Sequence, residues 1–368
     1  MKLWRYNFFY LLAILSLSTF VKSENKKSEI EKQFNQSYQA YRESLKDKKF
    51  DNAYLQAKES YKFGLKLYGE ESINTARLAT NYANLSVRLN KFDDDILQSI
   101  SSAIKVIEDI EGYDSNNLIM AYYTKGLIYL KNNKNSNDAN LMFDKAIAVS
   151  KQDKKKYAEI LWEAASAHHS MKGLYSTKRW LKVISYYEKA AELFKQSSDS
   201  RYGMALFNIA KFYAMDSRHY KKAEEYFRDA LIEFEKSEDK ATQYQIHAFM
   251  VKLYSESYES DKATVHCLEA AKIKPNEENL QPDPLYFIWP KYPIHAAFVG
   301  KEGIVDIEFI IDKEGKVKSP KISDSKGPVI FQREALRVFK KWRFAPKLVN
   351  DVPVESKSRY SMVFKVEE

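Results

Sequence analysis

From about residue 30 to residue 275, apolar side chains recur at intervals of three and four with almost no Pro and few Gly, which predicts an all-α region. Within it one pattern returns: a small or apolar residue, an aromatic or small one four positions on, and a small one three further. It reads Ala53/Ala57/Ser60, Ala139/Phe143/Ala146, Val183/Tyr187/Ala190, Ala223/Phe227/Ala230 and Ala263/Cys267/Ala270, with a weaker copy at Asp95/Ser99/Ser102. The first positions step by 40 to 44 residues. Positions i, i+4 and i+7 share one helical face, and small residues there let a neighbouring helix approach closely. Each such helix follows another that carries bulkier groups. Asn81-Tyr82-Ala83-Asn84-Leu85 and Asn208-Ile209-Ala210-Lys211-Phe212-Tyr213 show this, each succeeded by a short polar turn and an aromatic, Phe92 or Tyr220. Two antiparallel helices per repeat are therefore expected over residues 24–275.

After Lys274 the pattern changes. Pro275, Pro282, Pro284, Pro290 and Pro293 cluster with polar residues, so 276–289 reads as a Pro-rich linker and 290–368 as a separate domain. In 304–311, Val305, Ile307, Phe309 and Ile311 alternate with Asp306 and Glu308, a strand with one buried face. Asp312-Lys313-Glu314-Gly315 supplies a hairpin turn, and a second strand runs from Lys316 to about Ser323. An amphipathic helix follows, roughly Val329 to Trp342, with Phe331, Ala335, Val338, Phe339 and Trp342 along one stripe and Pro346 ending it. Last, Tyr360, Met362, Phe364 and Val366 alternate with Arg359, Ser361 and Lys365 as a third strand. With a short helix at Pro293 to Phe298, this makes a compact α+β unit, one helix covering a three-stranded antiparallel sheet.

The helical part resembles the tetratricopeptide repeat family, whose stacked helix pairs form a solenoid with a concave groove, although its period exceeds the ~34 residues of that family. The C-terminal part resembles the TonB C-terminal domain family. The matching residues are Tyr292-Pro293, Gly300 and Gly303 before the first strand, Asp312 with Gly315 in the hairpin, and Ser325 with Gly327 before the helix. Trp342-Arg343-Phe344 with Pro346 follow the helix, and Pro353 precedes the last strand. The resemblance implies strand addition: the last strand is the docking edge for a short extended segment of an envelope partner, such as a TonB-dependent outer-membrane receptor. Carried onto this chain, the partner-binding residues are Arg359, Tyr360, Ser361, Met362, Val363, Phe364, Lys365 and Val366. The repeats are expected to hold a second protein or peptide in their groove.

Charge alters this picture little. Of the net +9, residues 1–23 contribute +3 and 282–368 contribute +4, with the signs interspersed. Nucleic-acid binding concentrates positive charge on one face or helix, and no such stripe is present, so no nucleic-acid partner is expected. At the N-terminus, Lys2 and Arg5 precede an apolar stretch from Phe8 to Phe20 that ends in Val21-Lys22-Ser23. Residues 1–23 thus read as a signal peptide, which makes the protein periplasmic. The alternative is a retained inner-membrane anchor, with the chain facing the periplasm as an energy transducer of the TonB kind and touching the membrane only there. A force-transmitting TonB has a long Pro-rich spacer, which helical repeats replace here.

No catalytic role is expected. The histidines His168, His169, His219, His247, His266 and His295 show no His-x-x-x-His spacing, and there is no nucleophile elbow, phosphate-cradling loop or dinucleotide fingerprint. No cofactor or metal site is expected either. Cys267 sits at a helical core spacing and reads as a buried structural thiol.

Overall fold

The computed structural model describes residues 27–93, 95–131, 136–169, 177–274 and 281–365. The stretch read as a signal peptide or anchor, residues 1–23, lies outside them. Among the described residues no helix is long and apolar enough to cross a membrane. The chain divides into two compact units, Met1–Ser176 and Thr177–Glu368.

The first unit is helical. Helix α1 spans 27–46, followed by α2 (Phe50–Tyr68), α3 (Ile73–Leu89), α4 (Ile96–Glu111), α5 (Asn116–Lys131), α6 (Ser136–Ser150) and α7 (Lys154–His169). The small-residue triplets fall on α2, α4 and α6, the second helix of each pair. Ala53, Ala57 and Ser60 are buried, as are Ala139, Phe143 and Ala146. The weak copy needs a shift of one residue. Asp95 and Ser102 are exposed, and the buried face of α4 runs through Ile96, Ile100 and Ala103. Bulkier Ile side chains take the place of small residues on this face, which needs only the i, i+4, i+7 spacing. Close approach is concrete at Gly126 of α5, where a Cβ would lie 2.6 Å from the Phe143 ring of α6. The turn between α3 and α4 is tied by Asp93, which accepts from Tyr54 Oη and Tyr82 Oη, each at 2.8 Å, and pairs with Lys58. Those donors hold its carboxyl down at about 2.

The second unit begins with α8 (Thr177–Gln196), α9 (Arg201–Tyr213), α10 (Tyr220–Lys236), α11 (Lys240–Glu256) and α12 (Ser260–Ile273). The triplets on α8, α10 and α12 are all fully buried. Their shared face is where each helix meets its partner, and it includes Cys267, whose thiol burial pushes up to about 12.

The same unit contains the α+β domain: α13 (Ile294–Phe298), β1 (Gly303–Ile311), β2 (Val317–Lys326), α14 (Val329–Phe339), β3 (Lys347–Val349), β4 (Val352–Val354) and β5 (Ser356–Phe364). The sheet order is β2-β1-β5, antiparallel throughout, while β3 and β4 form a separate small hairpin that the alternation pattern did not announce. Val305, Ile307, Phe309 and Ile311 of β1 pack against Phe331, Ala335, Val338 and Phe339 of α14. Helix α14 stops three residues short of Trp342, and Pro346 does not end it. The amides of Lys341 and Trp342 instead donate to Val338 and Phe339 carbonyls at 3.0 Å, a tight turn that folds Trp342 back under the helix.

Along its described part, the stretch read as a linker is built into this core. Leu285 and Tyr286 are buried with Val251, Cys267, Ala270, Ala271 and Ala345. The backbones of Tyr286 and Arg343 exchange hydrogen bonds at 3.0 and 3.2 Å, and Arg343 Nη2 donates to Ser260 Oγ at the start of α12 (2.6 Å). The turn glycine Gly315, at φ +76°, lies against Cys267 and the Phe344 carbonyl.

Helices α11 and α12 also carry a histidine pair, buried His247 and part-buried His266, with their Nδ1 atoms 2.9 Å apart. One ring must donate and the other accept, so the accepting ring is neutral. Burial, with His247 beside it, holds His266 down at about 4 against an ordinary 6.5. Above pH 6.5 the ring is neutral in both folded and unfolded chains. Between pH 6.5 and 4 only the unfolded chain gains the proton, so stability falls as pH falls through that window, by up to about 3 kcal/mol. Thermal unfolding at pH 7 and pH 4.5 checks this: His266→Gln should flatten the difference.

Candidate functional site

Two strands form the edges of the three-stranded sheet, and they differ. The β1–β2 ladder slips twice, between Asp306 and Ile307 and between Glu308 and Ile310, where β2 carries extra residues. Ser319 sits at φ +53° and Pro320 has no N–H to offer. Bulges, Pro and Lys on an outer strand are the features that discourage further pairing. By contrast, β5 pairs residue for residue with β1 from Ser356↔Ile311 to Phe364↔Gly303, with no slip and no Pro.

The direction of the backbone groups in β5 follows from β1. Asp312 donates its N–H to Lys316 (3.0 Å), and the Asp306 carbonyl accepts from Ser323 Oγ (3.3 Å), so the even positions of β1 turn toward β2. By alternation the odd positions bond β5, and their partners Ser356, Ser358, Tyr360, Met362 and Phe364 are the residues whose backbone groups β1 engages. Lys357, Arg359, Ser361 and Val363 therefore turn their N–H and C=O groups to the outer edge, which no other strand covers among the described residues.

The same alternation sorts the residues expected to bind a partner. Met362 and Phe364 are core side chains, Phe364 stacked on Phe331 with ring centroids 4.3 Å apart. Tyr360 is half-buried, edge-on to Trp342 at 4.9 Å. Arg359, Ser361 and Val363 are exposed on the sheet's outer face, Lys365 lies exposed just beyond the strand, and Val366 lies outside the described residues. The strand also begins earlier than its apolar alternation suggested. Ser356 and Ser358 are buried, so the inward face continues through hydroxyl side chains that hydropathy alone does not reveal, and it brings Lys357 onto the outer face.

That outer face is a shallow groove of roughly 520 Å³ lined by Glu308, Ile310, Ser319, Lys321, Lys357 and Arg359. Its contents can hold an extended chain by hydrogen bonding and charge. Among the described residues no group of three or more His, Cys, Asp or Glu side chains is placed to hold a metal ion.

Residues 289–366 match the family model for the Gram-negative bacterial TonB protein C-terminal. The C-terminal domain is similar to that family over this stretch. Two proteins named Protein TonB align with it: one from Vibrio cholerae, 31% identical over 80 residues (22% of this chain, 33% of the relative), and one from Yersinia enterocolitica, 30% identical over 92 residues (25% and 36%). The chain thus spans about a third of the length of these curated relatives. Among solved structures, a signal-transduction ATPase with a tetratricopeptide repeat sensor from Pyrococcus horikoshii aligns over 67% of this chain and 36% of its own, with a TM-score of 0.50 and 19% identity. That likeness concerns the fold of the helical repeats. The architecture is therefore that of helical repeats followed by a TonB-type α+β domain.

Proposed function

We propose that the protein is a non-catalytic periplasmic interaction protein that docks an envelope partner, of the TonB-dependent outer-membrane receptor type, by strand addition to β5. The observation that carries this reading is the contrast between the two sheet edges: β2 is bulged and Pro-bearing, whereas β5 is regular and presents an unpaired row of backbone groups. An extended segment satisfies such a row with main-chain hydrogen bonds and takes specificity from alternate side chains. The periplasmic setting is supported by the basic and apolar N-terminal stretch and by the TonB relatives. The helical repeats supply the scaffold that carries the edge, and we assign to their groove a second protein or peptide.

Ser361→Pro tests the edge. Ser361 is exposed and its N–H faces outward, so Pro there removes a docking donor while leaving the β1 ladder and the core in place. Full-length protein should capture a TonB-dependent receptor from a detergent-solubilised outer membrane, and the variant should do so with affinity reduced about tenfold. Undiminished capture by a folded Ser361→Pro protein would sink the proposal. Met362→Pro is unsuited to this purpose, because it deletes a buried side chain and a bond to β1 together.

A further inference from the structure

We infer that the segment received at β5 is acidic, with carboxylates spaced two residues apart in an extended chain; this rests on the strand-addition reading above. The inference comes from the outer face of the sheet. Lys357 and Arg359 stand two apart on β5, both exposed, and neither forms an ion pair among the described residues. Across the sheet Arg359 faces Glu308, and Glu308 also faces Lys321 of β2. One carboxylate is thus set among three cations, and the groove keeps an excess of positive charge on the half of β5 that begins the strand.

The other half differs. Ser361 Oγ donates to Asp306 Oδ1 at 2.5 Å, which places a carboxylate beside that position, and Val363 with its cross-strand neighbour Ile304 forms an exposed apolar pair. A strand added beside β5 sets its outward side chains directly opposite these four, at cross-strand distance. Carboxylates opposite Lys357 and Arg359 gain ion pairs and basic side chains there are repelled, whereas a carboxylate opposite Ser361 finds no cation, the Ser361 hydroxyl being engaged by Asp306 one strand further in. The face therefore selects both for charge and for where it falls: acidic at two alternate positions, uncharged or apolar at the next two.

The test is selection of displayed random ten-residue peptides on the full-length protein, followed by affinity measurement of the winners at 25 and 200 mM NaCl. Peptides enriched in Asp or Glu at alternate positions are expected. Replacing their carboxylates by amides should weaken binding three- to tenfold at low salt, the range of two partly exposed ion pairs, and the loss should shrink at high salt. The double variant Lys357→Glu/Arg359→Glu, which touches no core position, should lose this preference or reverse it. Enrichment of peptides with no acidic bias, or an unchanged preference in the double variant, overturns the inference while leaving strand addition standing, provided Ser361→Pro weakens binding of the selected peptides about tenfold. Failure to enrich any peptide overturns both.

Discussion

Gly315→Ala should destabilise the second unit by about 3 kcal/mol or more and loosen the α+β domain from the last helix pair. Gly315 closes the β1–β2 hairpin at φ +76°, its N–H donating to the Asp312 carbonyl and its own carbonyl accepting from Phe344. A left-handed backbone costs a residue with a Cβ about 1 kcal/mol or more. Space adds the larger penalty. A Cβ at this position would lie 2.2 Å from the Phe344 carbonyl oxygen and 3.1 Å from Cβ of Cys267. The first neighbour is backbone in the segment that pairs with Tyr286, and the second is fully buried in α12, so neither can yield without opening the junction. Guanidinium unfolding of the wild type and variant measures the loss. Hydrogen exchange in Leu285–Tyr286 and Arg343–Phe344 should rise more than exchange in α8 to α10, and equal stability would show that the turn tolerates a side chain.

This junction is also where the sequence reading and the structure part company, for a physical reason. Helical periodicity and strand alternation are local signals, and they disclosed the repeats, β1, α14 and β5; the reading of the last strand as a docking edge came from the family resemblance instead. The triplets through Ala139, Val183, Ala223 and Ala263 needed only the rule that one helical face is buried. Proline clustering, read locally, says that a helix cannot continue; it carries no information on whether the extended chain then packs. Leu285 and Tyr286 pack because Arg343 and Ala345, some sixty residues later, complete their surroundings, and pairing at that range has no local signature. The same limit hid the β3–β4 hairpin, three residues a side, and the cationic outer face. Lys321, Lys357 and Arg359 are ordinary surface residues in the sequence, and only the register of β5 on β1 and β1 on β2 sets them on one face.

Coupling between that face and the core predicts the second large effect. Trp342→Ala should cost about 3–5 kcal/mol, the range for removing a fully buried large aromatic. The indole packs against Phe287, Phe339, Phe344 and Tyr360, and its Nε1 donates to the Ile288 carbonyl at 3.1 Å. It therefore links the chain entering the domain, the end of α14 and the inward face of β5. Trp342→Phe separates the two contributions: it keeps most of the ring contacts but leaves the Ile288 carbonyl without its donor, and should cost about 1–3 kcal/mol. Denaturant midpoints of the three proteins give the order. The consequence for docking follows from Tyr360, which lies between Arg359 and Ser361 and is held in place by the indole 4.9 Å away. When the indole is removed, β5 loses its support from below and the outward row of amides becomes mobile, so a partner strand must order the edge as well as bind it. Peptide affinity at β5 should then fall in Trp342→Ala even under conditions where the variant is folded, while Trp342→Phe, with the ring contact to Tyr360 retained, should bind nearly as the wild type does. Equal affinity in all three folded proteins would mean that β1 alone keeps the edge in register.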